Sequence, residues 1–587
     1  MSGKEAIVLV GEQNHEGLCS ILTSRCVGCN KEFQFSTSSR VQGMSGGHYW
    51  ECNLAAVWGQ MATGEGHAPL NEFMAVLGVP SLLKKAFVST EKRIGEWWKD
   101  LLKISMKQAG EEEKAIAISN GHYHQGIPVI TVIVDGGWSK RSHKHSYNAK
   151  SGVGIIIGKE TGKILYMGVR NKYCSVCHNT TGDTVPPHDC FLDWDQSSSA
   201  METDIVTGFL QSEAQHGLRY TRFIGDGDSS VYPALVSRVP YGYFIKKLEC
   251  ANHAVKCFWT TMENLIHDKP SYKGRGKFTE TMRKKLTKAA HSAILMRTQE
   301  ADQAQAIEKL QQDLLNSPLN CFGCHTNCSP DFCKTVQQQQ QQQGHPQQQG
   351  QQQLNNDTSE GATTEQETTH ETSSDITSDL NDVITTQMQA WADATDNEGL
   401  DDIRSTPTTT TEIDQQMICD IQRAISRLVA KAPQLIGNFT TNLAESWMHI
   451  RRKFDGGKQI NRSQAGSWEG QCAGAGLRCN EGAGWGPTLW TKAVNTEPSD
   501  IFKLSAANAI KRTDKDRKRK GEPAAKLQRK RARYSTTTVD NSLTSRMAYS
   551  RQASIVMYCC YHCDYVIADM MVEVRYWMFP LISQLTN

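Results

Sequence analysis

Apolar and polar residues change period along this chain, and the changes mark its elements. Between about residues 17 and 125, LNEFMAVLGV and KRIGEWWKDLLKISMKQ have the spacing of amphipathic helices. From about 126 the pattern turns to strands. IPVITVIVD is a continuous apolar run, as expected of a buried strand, and SGVGIIIGKETGKILYMGVRNKY reads as a hairpin closed by a Lys-Glu-Thr-Gly turn. METDIVTGFLQSEAQHG returns to helical spacing and LRYTRFIGD to strand. Residues 254 to 316 read as helices, many of them basic, with FTETMRKKLTKAAHSAILMRTQE among them. EIDQQMICDIQRAISRLVAKA is again helical and leads into TTNLAESWMHIRRKF, which also reads as a helix.

Between the helices of 254 to 316 and EIDQQMICDIQRAISRLVAKA the pattern fails. Gln337 to Gln343 is an unbroken glutamine run, followed by a tract rich in Gln, Thr, Ser, Asp and Glu to about 412. Too few apolar residues are present to offset the entropy of ordering, so disorder is expected. The tract also depresses the overall apolar content of 38%, so the rest of the chain can still bury a core. A length of 587 residues points to several domains.

A net charge of only +2 excludes a uniformly basic DNA-binding module, but the charge is uneven. KRTDKDRKRK at 511–520 and KLQRKRAR at 526–533 have the form of a bipartite nuclear-localisation signal, so the nucleus is the expected compartment. No apolar signal segment opens the chain. The apolar stretch from Ala553 to Leu585 is broken by Asp564, Asp569, Glu573 and Arg575, so no membrane span is expected. With 19 cysteines and no secretory signal, zinc is expected rather than disulfides.

Three acids carry the candidate chemistry. Asp135 in TVIVDGGWSKR and Asp226 in TRFIGDGDSSVY each follow an apolar strand, and Glu445 lies in the helical NLAESWMHIRRKF. Alone, Asp135 before Gly-Gly reads as an ordinary turn and Asp226 in Asp-Gly-Asp-Ser as a solvated loop; the order and settings of all three together favour a site. Phosphodiester hydrolysis is served by two divalent cations about 3.5–4 Å apart, and hard oxygen donors suit Mg²⁺ or Mn²⁺. Asp135 is the expected bridging ligand, with Asp226 and Glu445 each completing one ion's shell and Asp228 the alternative to Asp226.

Soft donors form separate groups. Cys174-Ser-Val-Cys177 followed by His188-Asp-Cys190 offers four N/S ligands, enough for a closed and therefore structural zinc site. Cys250-Ala-Asn-His253 is a weaker candidate that could share zinc with Cys321, Cys324, His325, Cys328 and Cys333. Cys26 and Cys29 form half of a zinc ribbon, with His48 or Cys52 as candidate partners. Arg451, Arg452, Lys453, Lys458 and Arg462 follow Glu445 and are candidate contacts to a DNA backbone.

Strand, hairpin, helix, strand is the order expected of an RNase H-like core. The expected class is therefore α/β: a mixed sheet flanked by helices, with a helical insertion, small zinc-binding elements and a disordered Gln-rich insert. The expected domains are an N-terminal zinc-ribbon-like and helical region (17–125), the first part of the core (126–255) with its Cys/His insert at 174–190, and a helical insertion (256–335). The low-complexity tract (336–412), the last part of the core (413–500) and a basic tail (501–587) follow. RCVGCNKEF, GEGHAPLNEFMAVLGVP, VDGGWSKR, YCSVC with PPHDC, SSSAMETD, GDGDSSVY, KLECANH and NLAESWMHIRRKFDGGKQINRSQ, in this order, resemble the Mutator-like element transposases, specifically the animal group with a Mutator-like transposase domain. The resemblance runs from about Cys19 to about Trp490. It implies an RNase H-like core with Asp135, Asp226 and Glu445 as its acidic triad, and a CxxH after the second acid at Cys250 and His253. It also implies cutting at transposon ends and joining of the freed 3′-hydroxyl to target DNA. Double-stranded DNA is then the partner, and two element ends imply at least a homodimer. The rival expectations are a non-cutting DNA-binding protein derived from a transposase, an RNase H-like nuclease, and a zinc-dependent interaction scaffold.

Overall fold

A computed structural model describes residues 7–139, 149–181, 184–226, 230–338 (apart from 326, 332 and 334), 412–458, 462 and 466–523. The glutamine run beyond 338 with its polar tract, Asp228, the second basic cluster and the C-terminal apolar stretch lie outside the described residues. Among those described, no helix is long and apolar enough to cross a membrane. The chain divides into two units, Met1–Ile510 and Lys511–Asn587. In the second, the described part is helical and fully exposed, and it carries the first basic cluster.

The first unit opens with strands, and the helices expected at LNEFMAVLGV and KRIGEWWKDLLKISMKQ follow them. β1 (Ile7–Glu16), β2 (Cys19–Cys26) and β3 (Glu32–Ser36) form an antiparallel sheet in that order, with Ile7 opposite Cys26 and Glu16 opposite Cys19. β4 (Arg40–Gln42) pairs with β5 (His48–Trp50). Three helices follow: α1 (Glu51–Thr63), α2 (His67–Val76) and the 36-residue α3 (Lys84–Ser119). Trp97 and Trp98 of α3 pack in one core with Trp58, Trp485 and Trp490.

The main sheet begins with β6 (Tyr123–His124) and β7 (Ile127–Trp138) and continues through β8 (Ser151–Gly158) and β9 (Ile164–Asn171). The short α4 (Ser175–Asn179), a 3-10 turn (Ser199–Asp204) and α5 (Ile205–His216) lead to β10 (Arg219–Gly225). α6 (Val231–Arg238) leads to β11 (Lys246–Glu249). The strand order is β11-β10-β7-β8-β9, with β6 paired to β7. The hairpin β7-β8-β9 is antiparallel, whereas β10 runs parallel to both β7 and β11. Buried Glu113 of α3 fixes the β8–β9 turn by accepting from the Thr161 backbone N–H at 2.7 Å and its hydroxyl at 2.8 Å.

Side chains alternate across a strand, so β7 feeds two cores. Ile130, Val132 and Val134 pack with α5 and α6. Ile133 instead joins Ile155, Ile157 and Ile224 against the far side, where Ala444, Trp447, Trp468 and Cys472 lie. A fourth core belongs to a helical bundle of α7 (Ala251–Asp268), α8 (Glu280–Arg297), α9 (Gln303–Cys321), α10 (Glu412–Val429) and α11 (Ala432–Leu435). α9 and α10, on either side of the undescribed residues, share this core. The chain then returns to the sheet with α12 (Asn442–Phe454), α13 (Ser467–Glu481) and α14 (Trp485–Val494), and α15 (Asp500–Gly521) follows.

Candidate active site and Cys/His clusters

The parallel pairing of β7 and β10 brings Asp135, near the end of the first strand, beside Asp226, just past the end of the second. The two glycines after Asp135 leave room for neighbours on both faces. A Cβ on Gly136 would meet Glu202 Cγ at 2.8 Å, and one on Gly137 would meet Met448 Sδ of α12 at 2.8 Å. By alternation Asp135 shares the α12 side, where Glu445 sits exposed in the helix's first turn. A carboxylate there is also favoured by the helix's N-terminal dipole.

The three expected acids therefore converge, and a fourth, Glu202 in the 3-10 turn before α5, joins them. Burial first, then repulsion from Asp226, Glu202 and Glu445, pushes the Asp135 carboxyl up to about 8, although the Gly136 N–H donates to it at 2.8 Å. Burial and the charge of Asp226 likewise push Glu202 up to about 7, against the attraction of Lys247. So much negative charge in one partly buried place is stabilised by a cation, and an all-oxygen donor set suits a hard divalent one. Glu202 was missed in the sequence because nothing in SSSAMETD distinguishes its glutamate from any polar helix start.

Cys250 and His253 lie at the start of α7, directly after β11, and face this site. His253 Nδ1 is 3.1 Å from Asp226 Oδ1. The hydrogen bond with Cys250 comes first, and the charge of Asp226 adds to it, in raising the His253 imidazole above its ordinary value. Thr441 Oγ1 donates to Cys250 Sγ at 3.4 Å, Asn252 Nδ2 donates to Asn442 Oδ1 at 3.3 Å, and the Ala251 N–H donates to the Phe439 carbonyl at 2.8 Å. The start of α7 thus fastens Asp226 on one side and the approach to Glu445 on the other. Among the described residues this pair does not gather with Cys321, Cys324, His325, Cys328 or Cys333, so the expected sharing of one ion between them is not what the fold brings together.

The Cys174 group does gather. Single donor atoms of Cys174, Cys177, His188 and Cys190 all lie within 4.8 Å of one another. His188 Nε2 is 3.3 Å from both Cys174 Sγ and Cys177 Sγ, and the Cys177 and Cys190 sulfurs are 3.5 Å apart. The other ring nitrogen, Nδ1, is 2.8 Å from the Pro186 carbonyl, the kind of contact that fixes a ligand histidine's tautomer. This donor set fits zinc, with Zn–S near 2.3 Å and Zn–N near 2.0–2.1 Å. Asp189 inside the loop pairs with Lys92 of α3, which ties the cluster to the N-terminal helices. Cys26 and Cys29 are close enough to hydrogen-bond, which lowers the Cys26 thiol. Among the described residues no third donor joins them, and Cys52 lies instead with Ser38 and Cys19.

Two of the expected DNA contacts are corrected by burial. Arg451 falls on the inward stripe of α12 with Ala444, Trp447 and Phe454; it pairs with Asp455 at 2.5 Å and stacks over Trp468. Arg462 is buried too, donating to Glu91 at 2.8 Å and to the carbonyls of Gly64 at 2.8 Å and Glu65 at 2.6 Å. Gly64, at φ +83°, ends α1 against the last turn of α12, where a Cβ would lie 1.9 Å from the Lys453 carbonyl oxygen. Arg452 and Lys453 are exposed, whereas the side chain of Lys458 lies outside the described residues.

A mixed α/β domain with carboxylates at the ends of adjacent parallel strands and a glutamate on a covering helix has the donor set for metal-assisted phosphoryl chemistry. A family model described as Mutator-like transposase matches residues 3–333, more than half of the chain. The chain belongs to the Mutator-like transposase family, whose general function is transposition. No curated protein matches it. The family match takes in Asp135, Glu202, Asp226 and the Cys174 cluster and ends before α10, so Glu445 lies outside it.

Proposed function

We propose that this protein is a DNA transposase with an RNase H-like core, cutting phosphodiester bonds at transposon ends and joining the freed 3′-hydroxyl to target DNA. The observation that carries this reading is the convergence of Asp135, Asp226 and Glu445 from two parallel strands and a helix that are far apart in sequence. Asp135, Asp226, Glu445 and the additional Glu202 would hold Mg²⁺ or Mn²⁺. The bound ions would supply Lewis-acid stabilisation of the leaving oxygen and a nucleophile at neutral pH.

The protein's own residues set the geometry. Asp135 is fixed in a strand and held by the Gly136 N–H. His253 orients Asp226 through Nδ1. Glu445 stands exposed at the open side, where a DNA backbone can approach, and Arg452 and Lys453 on the same helix are exposed for phosphate contact. Zinc at Cys174, Cys177, His188 and Cys190 would be structural. The partners are double-stranded terminal repeats and target DNA. One active site cuts one end, so two copies are required. The basic cluster exposed on α15 suits entry to the nucleus.

The test is cleavage of DNA carrying the element's own ends, with Mg²⁺ or Mn²⁺, by wild type and Glu445→Gln, which removes the charge and keeps the size. Wild type should cut and join; the variant should lose on the order of 10³-fold in rate while still binding DNA. Wild type that binds without cutting would favour a non-cutting DNA-binding protein, and cutting without strand-transfer products would favour a nuclease.

A further inference from the structure

A second group of soft donors sits just after α9 of the helical bundle. Single donor atoms of His325, Cys328 and Cys333 lie within 4.8 Å of one another. His325 Nδ1 is 3.4 Å from Cys333 Sγ and 3.9 Å from Cys328 Sγ. Sulfur and nitrogen atoms bound tetrahedrally to one zinc ion stand about 3.5 Å apart, given the usual Zn–S and Zn–N lengths. Cys324 is near enough for its charge to act on Cys328, and all four of these cysteine and histidine side chains are at least partly shielded from solvent.

The surroundings are built as the shell of a metal site is built. Asn320 Nδ2 donates to Cys328 Sγ at 2.9 Å and lies 3.0 Å from His325 Nδ1 and 3.9 Å from Cys333 Sγ, so one amide converges on the same lone pairs that a zinc ion would take. The loop between Cys328 and Cys333 is held to the bundle by Arg297, a buried guanidinium that donates to Asp331 at 2.9 Å and Ser329 at 3.2 Å. Arg297 also pairs with Asp313 of α9 at 2.7 Å, so one side chain fixes the loop to both α8 and α9.

We propose that His325, Cys328 and Cys333, with Cys324 as the fourth donor, form a structural zinc site that closes the end of α9, independent of the Cys174 cluster. The soft Cys₃His donor set selects zinc over the hard cations suited to the carboxylates. Its place gives it a purpose. Cys333 is followed by a helical turn at 335–338, and α10 packs its Met417, Ile421 and Ile425 in the same core as α7 and α9. A zinc ion there fixes the segment after α9 to the bundle that α9 and α10 share. This inference rests on no part of the transposase reading.

The experiment measures zinc per chain in the full-length protein by mass spectrometry of the metal after exhaustive dialysis. C328S/C333S and His325→Ala should each hold one zinc fewer than wild type, and C174S/C177S a different one. Because a lost site can loosen the fold, His325→Cys serves as the control: it keeps four soft donors and should hold as much zinc as wild type. Equal loss in His325→Ala and His325→Cys, or loss in neither, overturns the site. Cobalt loaded into C174S/C177S should give the charge-transfer band of three thiolates, falling by about a third in C174S/C177S/C324S. An unchanged band overturns the four-donor set.

Discussion

Cys174-Ser-Val-Cys177 and Cys250-Ala-Asn-His253 have the same spacing, and the fold uses them differently. Each places two donors on one side of a short turn. At Cys174 the chain loops back with His188 and Cys190, and four soft donors close on one point. At Cys250 what arrives is Asp226 on one side and Thr441 on the other, so the pair becomes a bracket between two acids. A pair at this spacing is half of a site, and its role is decided by the segment that meets it.

The largest effect that would sharpen this contrast is a crossed loss. Asp135→Asn should reduce strand cleavage on the order of 10³-fold and leave zinc content unchanged. Cys174→Ser should lower zinc content and thermal stability. If Asp135→Asn released zinc, or Cys174→Ser left it in place, the division between carboxylate chemistry and thiolate structure would fail.

A smaller effect is expected at His253. With its imidazole serving Asp226 rather than a zinc ion, His253→Ala should cost about 10–100-fold in cleavage and leave zinc per chain unchanged. Loss of one zinc from this variant would move the pair into the same class as Cys174.

The smallest effect is a pH dependence of stability. The Asp135 carboxyl is pushed up to about 8, far above its ordinary 3.8, and Glu202 up to about 7. Between the ordinary and raised values the folded state binds more protons than the unfolded one. Without divalent cations, stability contributed by these groups is therefore greatest at low pH and falls as pH rises towards 8. Added Mg²⁺ should raise the melting temperature more at pH 8 than at pH 6, and Asp135→Asn should flatten that difference. Scanning calorimetry with equal Mg²⁺ effects at both pH values would remove Asp135 from the cation's donors.

Much of this arrangement could be read from the chain because it is written in local pattern. IPVITVIVD and LRYTRFIGD became β7 and β10, the Lys-Glu-Thr-Gly turn joins β8 to β9, and the paired Cys174 and His188 motifs met. What was missed depends on contacts between distant segments. Glu202 is drawn to the acids only because the turn before α5 lies against Gly136. β1 was overlooked because its partner, β2, supplies most of what identifies it as a strand, and its own side chains are largely exposed. Arg451 was assigned to DNA for its charge, although the positions 444, 447, 451 and 454 fall on one helical stripe that the fold buries. Arg462 carries no such signal; its carbonyl partners at Gly64 and Glu65 belong to a turn almost four hundred residues earlier in the chain.

That turn has a consequence for genetics. Gly64 accepts no side chain without displacing the Lys453 carbonyl, and Lys453 lies on the helix that presents Glu445. In a saturation screen scored by transposition, residue 64 would therefore behave like a catalytic position, intolerant of every substitution, while holding no functional group. Suppressors of a mild Gly64 allele should map to the last turn of α12, and a search for them at the strand ends would come back empty.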